Sequence, residues 1–331
     1  MNAARGTMDV KPKARFAGRV PVFVSRTGRG MSEPTISIVV LTYNWAAALS
    51  LVLESLRRQT RMPDEIIVAD DGSCDGTAGL IASLAPGLSI PLRHVWQEDL
   101  GFRAARARNR GIVAAKGDYI ILVDGDMVLH PHFIADHLRF AQEGFYLQGG
   151  RLCVTAHETT RLLAGGSARY HPLVDGDFRR SSGSRRLYAL RHPWLAAFKA
   201  RARRGGRVMS CNMSFWKDDL VAVNGFDERM EGYGSEDLEL AARLDNLGRH
   251  RRQLKFAALA VHLDHPSRAP ADPNDMSMPN NQILAQTRAE GTVRTLRGLD
   301  SHIEEAADAV IQLDGMRAER YEPLRASLAV G

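Results

Sequence analysis

Asp118-Tyr119-Ile120-Ile121-Leu122-Val123-Asp124-Gly125-Asp126 is an apolar run that ends in two carboxylates one residue apart. It reads as a strand over Asp118–Val123 with an acidic turn at its carboxyl end. Before it, the spacing predicts a helix over Arg103–Ala115 and a strand over Leu92–Trp96. Further upstream comes a helix starting near Asp75-Gly76-Thr77 that carries Leu80, Ile81 and Leu84. A strand over Glu65–Ala69 ends in Asp70-Asp71-Gly72-Ser73. The first strand, Thr35–Leu41, ends in Thr42-Tyr43-Asn44. Between these two strands Leu49, Val52, Leu53 and Leu56 fall at i, i+3, i+4 and i+7, which is one face of a helix. Strands that alternate with helices imply right-handed crossovers and a parallel sheet. Ligands of such sheets sit at the carboxyl ends of the strands. The three polar clusters are therefore expected to gather on one edge.

Downstream of Pro131 the alternation weakens. The pattern predicts a helix over His132–Gln142 and strands over Phe145–Thr155, Val208–Phe215 and Leu254–Leu263. Ser235 is placed to cap a helix over Ser235–Leu247 whose Leu240, Leu244 and Leu247 share a face. Thr159–Gly206 reads as a long loop or insertion with one helix near Pro193–Arg204. From Phe178 to Lys217 there is no acidic residue, and ten basic residues lie between Arg179 and Arg207. Trp194, Leu195 and Phe198 on one side of a basic helix would suit an anionic membrane surface. Helices are expected again from about Asn281.

Composition narrows the class. With 44% hydrophobic and 25% charged residues the chain reads as a soluble globular protein. No apolar run approaches the roughly 18 residues of a membrane span. Cys74, Cys153 and Cys211 are too few and too scattered for a disulfide framework, read as buried thiols, and fit a reducing cytoplasm.

The acidic clusters carry the chemistry. Mn²⁺ or Mg²⁺ takes one or two carboxylates together with phosphates and water. Of Asp124 and Asp126, one can face such an ion and the other a ribose or a second water layer. A carboxylate in Asp70-Asp71-Gly72-Ser73 can accept a hydrogen bond from a nucleobase N–H. A nucleotidyltransferase would want a glycine-rich phosphate loop after the first strand, where Thr42-Tyr43-Asn44-Trp45 stands. The Gly-x-Gly-x-x-Gly turn of dinucleotide enzymes is also absent there. The basic stripe comes with no recognised nucleic-acid motif, so no nucleic-acid partner is expected.

Ile38–Asn44, Ile66–Ser73, Arg108-Asn109-Arg110-Gly111 and Asp124-Gly125-Asp126 resemble glycosyltransferase family 2, an inverting family with the GT-A fold. Asn224-Gly225-Phe226-Asp227-Glu228, followed by Gly232-Tyr233-Gly234-Ser235-Glu236-Asp237, resembles the galactosyltransferase-type module of chondroitin-polymerase-like enzymes. The resemblance covers about residues 35–266. It implies an α/β GT-A fold, with a Rossmann-like, mostly parallel central sheet flanked by helices and a smaller acceptor-side subdomain. It implies a UDP-sugar donor, a divalent ion (Mn²⁺ or Mg²⁺), and a glycan, lipid-linked or small-molecule acceptor. Asp71 resembles the carboxylate that reads the uracil. Thr42, Tyr43 and Asn44 match the loop packed around the nucleoside, and Arg108 lies in a nucleotide-contacting segment. Asp124 matches the ribose-side aspartate and Asp126 the direct metal ligand. Asp237 resembles the catalytic base, and Glu236 a holder of the acceptor sugar. A histidine one strand later completes the metal site. His262, which ends the strand, is the first candidate and His265 the second, with His130 and His132 behind them.

A helix N-terminus would help keep Asp237 ionised. Tyr233 stands where the module often has tryptophan, and with Trp216 it is a candidate to stack on a sugar face. The implied organisation is a disordered tail over 1–33, a nucleotide-sugar half over 34–130 and an acceptor-binding and catalytic half over 131–266. That second half carries a basic insertion at about 176–207. A helical extension follows over 267–331. The expected location is cytoplasmic, with room for peripheral contact on the inner face of the plasma membrane. The competing readings are a non-catalytic nucleotide-sugar-binding module and a nucleotidyltransferase.

Overall fold

The computed structural model describes residues 33–170, 187, 189–200, 202–203, 208–266 and 270–303. The expected N-terminal tail, most of the basic insertion and the chain beyond 303 lie outside the described residues.

Four strands build one half of the main sheet: β1 (Ile36–Thr42), β2 (Glu65–Asp70), β3 (Leu92–Trp96) and β4 (Tyr119–Asp124). They lie parallel in the order β3-β2-β1-β4, as the alternation predicted. Helices α1 (Ala46–Arg57), α2 (Thr77–Leu84) and α3 (Ala104–Ala114) make the crossovers. All four residues of the predicted α1 face are buried. Each such aliphatic side chain contributes about 1.5–3 kcal/mol relative to exposure. Gly111 lets α3 lie close on the sheet, because a Cβ there would meet Val39 Cγ1 at 2.7 Å.

The other half departs from the simple pattern. Its elements are β5 (Met127–Leu129), α4 (Phe133–Phe140), β6 (Phe145–Gln148), β7 (Gly150–Cys153), α5 (Ala156–Leu163), α6 (Pro193–Lys199), β8 (Ala202–Arg203), β9 (Asn212–Trp216), α7 (Lys217–Val223), α8 (Glu236–Asn246), β10 (His250–Gln253), β11 (Leu259–His262) and α9 (Pro279–Glu290). The main sheet has eight strands in the order β3-β2-β1-β4-β9-β6-β10-β8. Strand β9 is antiparallel to both β4 and β6. A second sheet of three strands runs β5-β11-β7.

One predicted strand is two and another is shorter: Phe145–Thr155 breaks at Gly149, and Leu254–Leu263 holds a turn and then β11, behind the unpredicted β10. In both cases the chain leaves the main sheet and enters the small one. Buried Asn212 marks the place: its Nδ2 donates to Gly150 O and Ala258 O, both at 2.9 Å. A Cβ at 149 would sit 2.3 Å from that side chain, so only glycine fits. Helix α6 stops at Lys199, short of the predicted Arg204. Trp216 is 5% exposed and packs edge-on against Tyr119 at 5.0 Å, so it belongs to the core and not to a sugar site. Cys211 is buried, Cys153 half-buried and Cys74 exposed, so buried thiol describes only part of that set.

Candidate active site

The carboxyl ends of β1, β2 and β4 open into a cleft of about 1090 Å³. Thr42, Tyr43, Asn44, Asp71, Arg108, Asp124, Asp126, Glu236, Asp237, His262 and His265 all line it. The site residues read from the sequence are thus brought to one place.

On the β1–β2 side Asp71 is 2% exposed. Gln97 Nε2 donates to its Oδ1 at 2.6 Å and the Arg103 backbone N–H to its Oδ2 at 2.9 Å. Burial pushes its carboxyl above the usual range, and those two donors oppose the shift without cancelling it. Neighbouring Asp70 faces away, held by His94 Nε2 at 2.8 Å and by the Ser73 N–H. Gly72 turns the chain at φ +100°, where a Cβ would meet the Asp99 backbone at 2.6 Å. Asn44 ties the two loops together: its N–H donates to Ser73 Oγ, and its Oδ1 accepts from the Cys74 N–H. Tyr43 Oη lies 2.9 Å from Asp99 Oδ2.

Asp126 meets two histidines through the small sheet. Strand β11 runs antiparallel to β5 with His262 opposite Met127, and the Leu263 N–H donates to Asp126 O at 3.0 Å. His265 Nε2 then stands 3.2 Å and His262 Nε2 3.5 Å from Asp126 Oδ2. The ligand atoms of the three residues lie within 4.8 Å of one another, the one such group among the described residues. Both histidine candidates therefore sit beside the aspartate. His132 Nδ1 pairs instead with Thr60 Oγ1, and His130 packs on Tyr170.

The donor set fits a cation. Asp126 Oδ1 is buried without a hydrogen-bond partner, a costly state for a carboxylate unless an ion or ligand completes it. His265 Nδ1 is 2.9 Å from Pro266 O. With its proton on Nδ1, the Nε2 lone pair faces the carboxylate, as in a metal-ligating imidazole. Burial lowers the His262 pKa despite Asp126, which favours its neutral, ligating form.

Arg108 joins the two halves of the site. Its Nη2 is 3.1 Å from Asp124 Oδ1, its Nη1 is 3.3 Å from Glu236 Oε1, and Phe226 packs under the guanidinium. Next to it, Asn109 clamps the Phe226–Glu228 segment. Its Nδ2 donates to Phe226 O and Glu228 Oε1, and its Oδ1 accepts from the Phe226 N–H.

Glu236 and Asp237 open α8, with Ser235 at the N-cap position. Ser235 does not cap with its side chain. It sits at φ 68°, and its Oγ donates to Asn281 Oδ1 at 2.5 Å. Asp237 Oδ2 accepts the Ser210 N–H at 3.3 Å. The expectation that the helix N-terminus keeps Asp237 ionised is reversed: burial, followed by the charge of Glu236, pushes its pKa up to about 7. Arg108 and the backbone N–H groups oppose this without overcoming it. Tyr233, 42% exposed, lines the cleft beside this pair.

Some wall residues escaped the sequence. Asn280 Nδ2 donates to Glu231 O and Gly234 O, and Asn281 Nδ2 to Pro273 O and Asp275 O. Helix α9 thus grips the turn that presents the acidic pair, and only the run of asparagines ahead of a helical pattern hinted at it. Arg151 of β7 also lines the cleft, and no local signal marked it.

Residues 37–211 match the family model described as glycosyl transferase family 2. The chain belongs to that family. Residues 192–266 match a second model, described as the N-terminal domain of galactosyltransferase. Family membership agrees with the mixed α/β architecture and its mostly parallel central sheet, and makes the chain kin to glycosyltransferase enzymes. Among relatives, validoxylamine A glucosyltransferase of Streptomyces hygroscopicus subsp. limoneus is 32% identical over 229 residues, covering 64% of this chain and 48% of that one. Chondroitin synthase of Escherichia coli is 27% identical over 255 residues, covering 70% of this chain and 35% of that one. The match thus spans half or less of these relatives' length. The crystal structure of S. aureus TarS 1-349 in complex with UDP aligns with a TM-score of 0.46 and 17% identity, over 71% of this chain and 62% of that chain. No described helix is long and apolar enough to cross a membrane.

Proposed function

We propose that this protein is a metal-dependent inverting glycosyltransferase that moves a hexose or N-acetylhexosamine from a UDP-sugar to a hydroxyl of a glycan or lipid-linked acceptor. The observation that carries this reading is one cleft holding the Asp126, His262 and His265 group together with a high-pKa carboxylate, Asp237. Asp71 accepts a hydrogen bond from the uracil N–H, its carboxylate oriented by Gln97 and the Arg103 N–H. Asp124 takes the ribose side. Asp126, His262 and His265 would hold a divalent ion, which when bound would supply Lewis-acid neutralisation of the departing diphosphate. Two imidazoles beside one carboxylate favour Mn²⁺ over Mg²⁺.

Asp237 removes the proton of the acceptor hydroxyl as its oxygen bonds to the anomeric carbon. The anomeric carbon–phosphate oxygen bond breaks on the opposite face, and UDP leaves with the electron pair. A base with a pKa near the working pH is well matched to that proton transfer. Glu236 holds the acceptor sugar, and Arg108 keeps Glu236 in register with Asp124. The exposed Trp194 and Phe198 of α6, within a run rich in arginine, support contact with an anionic bilayer as a route to lipid-linked acceptors, at the cytoplasmic face.

The test is binding and slow hydrolysis of a panel of nucleotide sugars, with and without Mn²⁺, by wild type and Asp237→Asn. One UDP-sugar should bind in a metal-dependent way, and its turnover should vanish in the variant while binding survives. No binding of any nucleotide sugar with any metal would remove the catalytic reading.

A further inference from the structure

Two arginines of the cleft, Arg151 and the exposed Arg288, make no hydrogen bond or ion pair to any described residue, and Arg151 is the less exposed of the two. It lies on β7 and is half-buried. Its position is nonetheless electrostatically loaded. Cys211, Cys153, Asp124 and Asp126 all lie within reach of its charge. A guanidinium stays protonated at any working pH; burial opposes the charge here, and the acidic neighbours outweigh it without hydrogen-bonding the N–H groups.

The arginine can be placed by register. Cys153 pairs with His262 across β7 and β11, and Arg151 pairs with Ala260. Side chains two apart on a strand share a face. Arg151 therefore stands on the cleft-lining face with Cys153, one step along from the strand position of His262, while Leu152 between them is buried in the opposite direction.

Charge balance points the same way. Asp124, Asp126, Glu236 and Asp237 all face this cleft. Arg108 is already engaged by Asp124 and Glu236. A diphosphate arriving among these acids is repelled unless positive charge offsets them, and Arg151, hydrogen-bonded to no described residue, can add to the charge of the ion that the Asp126 group would hold.

We infer that Arg151 is a donor-phosphate ligand, its guanidinium binding the diphosphate oxygens beside the Asp126, His262 and His265 group. A guanidinium fork matches phosphate oxygens in a way a lysine ammonium does not. The inference rests on the nucleotide-sugar reading above and adds to it a residue that neither the sequence motifs nor the family match singled out.

Titration calorimetry of the full chain with UDP and with uridine, each in Mn²⁺, tests it. Arg151→Met should weaken UDP roughly ten- to hundred-fold, the usual range for a charge-assisted contact, and leave uridine unchanged. Arg151→Lys should keep part of the UDP affinity. Unchanged uridine binding also shows that the variants are folded. UDP affinity within twofold of wild type in Arg151→Met overturns the inference while leaving the nucleotide reading intact. So does an effect confined to the acceptor KM. A wild-type chain that binds neither UDP nor uridine overturns both.

Discussion

Arg108 reaches Glu236 across 128 positions of sequence, Nη1 to Oε1 at 3.3 Å, while its Nη2 holds Asp124 at 3.1 Å. One nearly buried guanidinium thereby sets the ribose-side aspartate against the acceptor-side glutamate. Opposing carboxylates raise the Arg108 pKa even though burial acts the other way, so the charge persists. Arg108→Met should leave both acids uncompensated and cost about 3 kcal/mol of stability, at the low end for a broken buried pair because Asp124 keeps some solvent. Arg108→Lys can satisfy one carboxylate but not both. It should recover most of the stability and little of the turnover. Urea unfolding paired with kcat measurement separates the two effects.

Asp237 makes a prediction in which activity and stability move apart. Its pKa stands near 7 through burial and the Glu236 charge, against an ordinary value of 3.8. The folded state therefore holds this proton more tightly than the unfolded state does. The stability it contributes is complete below about pH 3.8, falls as pH rises, and is gone above about 7. Without added metal, Asp237→Asn should melt higher than wild type at pH 8, with the gap closing toward pH 4. Turnover in the same variant should fall roughly 100- to 10,000-fold, the range for loss of a general base. Wild-type kcat/KM should rise with pH through about 7. A variant that melts lower than wild type at pH 8 would contradict the assignment.

The legible part of this fold is the part where burial is simplest. Strands β1, β2 and β4 carry nearly unbroken apolar residues, and each ends in a polar cluster that could only be placed at the sheet's carboxyl edge. The antiparallel half was harder for a physical reason. The turn between β10 and β11 uses Phe256 at φ 64° and Ala258 at φ 50°, so the glycine or proline that normally marks such a reversal is missing. The Gly149-Gly150 pair was a visible mark, and it does coincide with the other break. The acidic pair of α8 was readable, but its ionisation was not. Helix polarity alone favours the carboxylate, whereas burial, the largest cause of the shift and one that adds to the charge of neighbouring Glu236, is a tertiary effect. Arg151 and Asn280 owe their places to strands and helices distant in sequence, and no local pattern could announce them.

The Asp126, His262 and His265 group should bind Mn²⁺ more tightly than Mg²⁺, because imidazole nitrogen suits transition ions better. Asp126→Asn, His262→Ala and His265→Ala should each lower Mn²⁺ affinity about tenfold or more, since even supporting residues around metal ligands are worth that much. Electron paramagnetic resonance of free Mn²⁺ reads this without any turnover. His132→Ala, whose ring pairs with Thr60, should leave the affinity unchanged. Equal losses from His132→Ala would indicate that the ion is held elsewhere.

Asn280 and Asn281 make α9 a working wall of the site. Asn280 bonds the carbonyls of Glu231 and Gly234 at 3.1 and 2.9 Å, and Asn281 accepts the Ser235 hydroxyl immediately before the acidic pair. Gly232, Ser235 and Gly234 all adopt positive φ, a strained path for serine that the surrounding contacts must hold. Removing the Asn280 amide should free the turn without touching Asp71, Asp126 or the histidines. Asn280→Ala should therefore leave UDP affinity within about twofold, yet lower kcat/KM for the acceptor roughly tenfold, as expected for small misplacements of catalytic groups. Asn280→Gln, with its longer reach, should not restore the geometry. If both variants instead lose UDP binding in proportion to turnover, the α9 contacts serve the fold as a whole, and the turn is positioned from elsewhere.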